Sequence, residues 1–117
     1  MDERRKALCE LLRPVIEEIS GAAWDAALAA RLNARFPAGG GFFQRLETTC
    51  GQGIEQGWMG LEGEEVRKGA RVIEPGPATQ GLSVDVVQLV DFTGPHHRHP
   101  GGEVCAVMPE SPEGRFD

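Results

Sequence analysis

The sequence predicts an α+β chain, with a helical N-terminal segment over residues 1–57 and an antiparallel β segment over residues 58–117 that amounts to half of a barrel or sandwich. Three observations predict it. Up to Gly57, apolar residues recur at three- and four-residue intervals, the spacing of one helix face. Beyond Trp58 the apolar runs become short and partly alternating, with Gly and Pro between them. Glycine and proline number 16 and 8, and most of them fall after residue 38, where many tight turns are required.

The first helix is expected over residues 3–19. Leu8, Leu11, Leu12, Val15, Ile16 and Ile19 share a face. Pro14 falls inside the pattern and should kink or split the helix, since it removes a donor and crowds the preceding turn. Ser20-Gly21 is a stop. A second helix is expected over residues 23–35, with Trp24, Ala27, Leu28, Leu32 and Phe36 on its apolar side and alanines adding propensity. Pro37-Ala38-Gly39-Gly40-Gly41 ends it. A third helix is expected from about Phe42 to Gln56, carrying Phe43, Leu46, Cys50 and Ile54. Gly51, Gly53 and Gly57 weaken it by roughly 1 kcal/mol each if interior, unless a glycine there allows close packing. Trp24, Phe42, Phe43 and Trp58 are expected in the core.

The β segment offers Trp58–Leu61, Val66 with Arg71–Ile73, Leu82–Val90 and Glu103–Met108 as extended pieces. Leu82–Val90 is the clearest. Leu82, Val84 and Val86 alternate with Ser83 and Asp85, and the alternation shifts at Val87, where a bulge is expected. Four or five strands fall short of the ~8 that close a small barrel. The expectation is a β segment incomplete at its C-terminal side, or a second copy of the chain that completes the sheet.

Bulk properties narrow the function. One ordinary domain fits 117 residues. A net charge of -6 argues against nucleic acid as the main partner, because phosphate binding needs a basic face. No apolar run approaches the ~18 residues of a membrane span. Three cysteines without a CxxC pair suit reduced thiols in the cytoplasm.

Chemistry concentrates in Gly94-Pro95-His96-His97-Arg98-His99-Pro100-Gly101-Gly102-Glu103, which holds all three histidines. His97, His99 and Glu103 form H-x-H-x-x-x-E. On a strand His97 and His99 point to one face. Two imidazoles and a carboxylate hold a divalent cation and leave coordination positions free, as a catalytic metal needs. Fe, Mn, Zn and Ni all accept such a set. His96 faces the opposite way on a regular strand and becomes an acid or base, or a support for the ligands. The plainer alternative is a solvated polar loop. Another is Glu103 acting as a general base with no metal.

Gly94, His97, His99 and Glu103 resemble the first metal motif of the cupin superfamily. The longer run Gly76-Pro77-Ala78-Thr79, Gly81 to Val87, Gly94 to Glu103, Val107-Met108-Pro109 and Arg115-Phe116-Asp117 resembles the 4-hydroxylaminobenzoate lyase family, and the N-terminal helices and Gly53…Gly57-Trp58 fit it too. The resemblance implies a cupin-like barrel behind a helical segment. It also implies conversion of 4-hydroxylaminobenzoate to 3,4-dihydroxybenzoate and ammonia in nitroaromatic degradation. Similar members continue past Arg115-Phe116-Asp117 through a second cupin half that supplies a further histidine.

For that reaction the metal at His97, His99 and Glu103 would act as Lewis acid, with His96 and Glu103 as proton-transfer groups. The substrate, a small aromatic carboxylate, needs a cation. Arg98 and Arg115 are the candidates, although Arg98 faces away from His97 and His99 on a regular strand and a structural role suits it equally. Cys105 shares the face of Glu103 and either lines the pocket or is a buried inert thiol. Two rivals stand beside this reading. One is another metal-dependent cupin enzyme, such as a non-haem iron dioxygenase acting on an aromatic acid. The other is a winged-helix-like binding module, with a hairpin from Val66–Lys68 to Arg71–Ile73.

Overall fold

The computed structural model describes residues 1–65, 67–89, 104–106 and 108. Three helices come first: α1 (Glu3–Ile19), α2 (Ala26–Arg35) and α3 (Gly41–Gln56). A three-stranded antiparallel sheet follows, in the order β1 (Glu62–Glu64), β2 (Arg67–Ile73), β3 (Val84–Leu89). A 3-10 turn, Pro77–Thr79, links β2 to β3. The α+β class and the helix-then-sheet order agree with the sequence reading. Among the described residues the sheet is open.

Helix α1 begins where Asp2 caps it, accepting a hydrogen bond from the Arg5 amide at 2.8 Å. Pro14 does not split it. Leu8 and Cys9 before the proline, and Ile16 and Ile19 after it, are all buried. Burying two isoleucines at about 1.5–3 kcal/mol each offsets a proline cost of about 3 kcal/mol. Helix α2 starts three residues later than expected, because the Asp25 carboxylate accepts from the Leu28 amide at 3.0 Å and fixes the N-terminus there. Trp24 therefore precedes the helix. It is exposed, not core, and its indole N–H donates to the Ile19 carbonyl at 3.0 Å. Glu18 of α1 ties α2 in place through Arg35 at 2.7 Å and Arg31 at 3.4 Å.

The core lies between α1, α3 and one face of the sheet. Leu8, Cys9, Leu46, Cys50, Met59, Val72 and Ile73 are buried together, with Phe42, Trp58, Val84, Val86 and Met108 packed against them. Phe43 is half-buried and meets Phe42 edge-on at 5.9 Å. Helix α3 ends at Gly57, whose φ of 81° is the left-handed conformation glycine adopts without strain. The chain then turns through Trp58 and Met59, so Trp58–Leu61 is not the strand the sequence suggested.

Arg5 fastens the helices to the sheet. Its guanidinium donates to the Val72 carbonyl at 2.8 Å and the Trp58 carbonyl at 3.1 Å, and lies 5.6 Å from the centre of the Trp58 ring. In the linking turn Thr79 is fully buried, its hydroxyl donating to the Leu82 carbonyl.

Two strand expectations are corrected. Residues 67–73 form one continuous strand, so there is no hairpin from Val66–Lys68 to Arg71–Ile73; the hairpin joins β1 to β2. The register irregularity sits in β2, not at Val87. Arg71 pairs with Asp85 and Ile73 with Val84, which leaves Val72 as the extra residue. The bulge lets Val72 and Ile73, adjacent in sequence, both enter the core. Alternation in β3 runs unbroken, with Val84, Val86 and Gln88 half-buried and Asp85, Val87 and Leu89 exposed. Val104, Cys105 and Ala106 carry no strand, and Cys105 is exposed, against the expectation of a buried thiol.

Candidate functional site

Strand β3 leads in sequence into the histidine stretch, so the sheet is the platform from which that stretch departs. His96, His97, Arg98, His99, Glu103 and Arg115, the residues the sequence singles out, lie outside the described residues. Among the described residues no group of three or more His, Cys, Asp or Glu side chains could hold a metal ion.

The platform has two unlike faces. Its inner face, through Val72, Ile73, Val84 and Val86, packs on the helices. On its outer face the ladder sets Arg67 beside Leu89, Gly69 beside Val87 and Arg71 beside Asp85, since directly opposed residues of antiparallel strands share a face. Val87 and Leu89 are 49% and 42% exposed, two large apolar side chains held in a row in solvent. Asp85, which the sequence could not orient, belongs to this face; Gln88 belongs to the other.

Charges on the outer face are unevenly paired. The Arg71 guanidinium donates to the Asp85 carboxylate at 3.0 Å, and that hydrogen bond pushes the Arg71 pKa further up. Across the ladder from β1, Glu64 is opposite Arg67 and Glu62 opposite Gly69. Among the described residues Arg67 enters no ion pair. Gly69 keeps the middle of the strand low. A side chain there would begin 3.4 Å from the Val87 methyl Cγ2.

Sequence reasoning missed this face. Its signal was the alternation Arg67-x-Gly69-x-Arg71 against Asp85-x-Val87-x-Leu89, which becomes legible once residues 67–73 are taken as one strand. A second concavity, an open groove of about 420 Å³, lies between α1 and α3 and is lined by Ala7, Leu11, Gly41, Gln44, Arg45, Thr48 and Thr49.

Burial raises the thiol pKa of both Cys9 and Cys50, Cys9 with an added contribution from the charge of Glu10. Both are packed in the core as inert thiols. No helix among the described residues is long and apolar enough to cross a membrane.

Compared with known proteins, the chain matches the family model PnbB, 4-hydroxylaminobenzoate lyase, over residues 10–117. No curated protein and no solved structure matches it. The match takes in α1 from residue 10 onward, α2, α3, the sheet and the whole histidine stretch, and on that extent the chain belongs to the 4-hydroxylaminobenzoate lyase family.

Proposed function

We propose that the protein converts 4-hydroxylaminobenzoate to 3,4-dihydroxybenzoate and ammonia, as one step in the breakdown of a nitroaromatic acid. The observation that carries this reading is the family match over residues 10–117, which takes in the H-x-H-x-x-x-E stretch. The overall conversion consumes one water. The N–O bond, the C–N bond and one ring C–H bond break and two ring C–O bonds form; the hydroxylamine nitrogen takes up the two electrons the ring gives up, so no external oxidant or reductant is needed.

The site in this reading is a cupin-like half-site in the histidine stretch that follows β3 in sequence. His97, His99 and Glu103 would hold a divalent ion, Fe, Mn, Zn or Ni, and their two imidazoles and one carboxylate are a donor set such ions accept. When bound, the ion supplies Lewis acidity toward the substrate oxygen. The chain's own groups do the rest. Loss of hydroxide from nitrogen needs a proton at that oxygen, and His96 is the candidate to deliver one, since an imidazole is the common proton-transfer group near neutral pH. Glu103 is the neighbouring base. Arg98 and Arg115 are the cations the sequence offers to the substrate carboxylate. A cytoplasmic setting suits the buried thiols Cys9 and Cys50. An assembly in which a second copy extends the sheet at β3 belongs to the same reading.

The test is metal analysis of the purified protein together with an ammonia-release assay on 4-hydroxylaminobenzoate under anaerobic conditions. Stoichiometric metal, ammonia and 3,4-dihydroxybenzoate without oxygen are the expected results. Turnover that requires and consumes oxygen would replace the lyase with a dioxygenase. Metal-free protein with full ammonia release would remove the metal and leave Glu103 as a base.

A further inference from the structure

The outer face of the sheet sets a cation beside an exposed apolar strip. The geometry points to Arg67 as the residue that binds the carboxylate of an aromatic acid, with Val87 and Leu89 as the apolar wall on which the ring lies. This rests on the lyase reading for the identity of the substrate and deepens it by assigning its anchor.

Arg67, Gly69 and Arg71 alternate on the outer face of β2, facing Leu89, Val87 and Asp85 of β3. Arg71 is committed to Asp85 at 3.0 Å. Among the described residues Arg67 enters no ion pair, although Glu64 stands across from it in register. Its guanidinium therefore retains a fork of donors that matches a carboxylate in two parallel hydrogen bonds. Beside it Val87 and Leu89 expose apolar surface that water covers poorly and an aromatic ring covers well. Gly69 lies one ladder step, about 6.8 Å, from Arg67, and its missing side chain leaves Val87 reachable from above. A cation at one end of an apolar strip is complementary to a benzoate, whose charge sits at one end of its ring. Glu62 and Glu64 on the adjoining strand oppose a second negative group, so a monocarboxylate fits better than a dicarboxylate. Arg67 is exposed, so its replacement leaves the core untouched.

The experiment is calorimetric titration of the full-length protein with 4-hydroxybenzoate, an unreactive acid, and with the uncharged 4-hydroxybenzamide. Wild type should bind the acid more tightly than the amide. Arg67→Ala should weaken the acid about tenfold, the loss of one charge-assisted pair, and leave the amide within about twofold. Arg67→Lys should recover part of the loss. Val87→Ser should weaken both ligands. Absence of acid binding by wild type, unchanged acid binding in Arg67→Ala, or an equal loss for acid and amide would each overturn the assignment. Ammonia release separates this from the lyase reading. Turnover with acid binding unchanged in Arg67→Ala overturns only the anchor, and Arg67-dependent binding without ammonia release overturns only the reaction.

Discussion

Met59 occupies the volume that a side chain on Gly53 would need. A methyl built on Gly53 would stand 2.7 Å from Cγ, 2.8 Å from Sδ and 2.9 Å from Cε of Met59, which is itself 2% exposed. The contact joins α3 to the turn that opens the β segment, and the Met59 amide donates to the Gly53 carbonyl at 3.4 Å. Gly53→Ala sets two effects against each other. Helix propensity favours alanine by about 1 kcal/mol, whereas overpacking a filled site costs about 1–3 kcal/mol. Met59 is packed in the core, so shifting it disturbs its neighbours there, and the variant should melt lower than wild type. Gly51, on the same helix, meets nothing within 4 Å of such a methyl. Gly51→Ala should therefore raise stability by about 0.5–1 kcal/mol. Urea unfolding of both variants checks the opposite signs.

Arg5 should be the costliest exposed-side charge to remove. It is only partly exposed, and it satisfies two main-chain carbonyls on different elements while packing on Trp58. Arg5→Ala should cost about 1–3 kcal/mol, since the Val72 and Trp58 carbonyls lose their donor. Arg5→Lys should recover less than half of it, because a single ammonium cannot reach both carbonyls and stack as the planar fork does. Chemical denaturation of the two variants, with Trp fluorescence as the probe, reads the difference.

Asp2 makes stability depend on acid. The hydrogen bond from the Arg5 amide lowers its carboxyl pKa from the ordinary 3.8; desolvation opposes it, and the hydrogen bond and charge of the Arg5 guanidinium add to the lowering. A folded-state pKa below the unfolded one means that ionised Asp2 stabilises the fold above the unfolded value, and that the contribution disappears as pH falls through the lower, folded value. Asp2→Asn should be less stable than wild type near neutrality. The gap should close as the medium is acidified below the ordinary carboxylate range. Paired melts at neutral and strongly acidic pH test it, and a gap that widens on acidification would contradict the capping geometry.

His97→Ala and His99→Ala should each lose bound metal and ammonia release together, while circular dichroism and thermal unfolding stay close to wild type. Elemental analysis is the decisive readout. Wild-type metal content in either variant would mean the ion sits elsewhere.

The helical half was readable because its signals are local. Leu8, Ile16 and Ile19 repeat at helical spacing, and all three are buried where that spacing put them. Trp24 was misplaced because Asp25 resets the start of α2, and a cap competes with apolar periodicity over a single residue. The strands were harder. Residues 67–73 read as two pieces because Lys68, Gly69 and Ala70 interrupt the apolar pattern, and only pairing with β3 shows them to be one. The bulge was expected at Val87, where two apolar residues are adjacent, but Val72-Ile73 presents the same adjacency and carries it. For the candidate site, the histidine stretch was visible as composition alone. The outer face was not, because a Gly between two arginines acquires meaning only beside Val87.

The three strands also give the sheet a direction of growth. One edge is β1, three residues long and reading Glu62-Gly63-Glu64, every one exposed. A strand arriving there would bring its backbone against two carboxylates on a very short ladder, a pairing that charged edges discourage. The opposite edge among the described strands is β3, twice as long, with Val87 and Leu89 in the open. Any strand that extends this sheet, from the same chain or another copy, is steered to the β3 side.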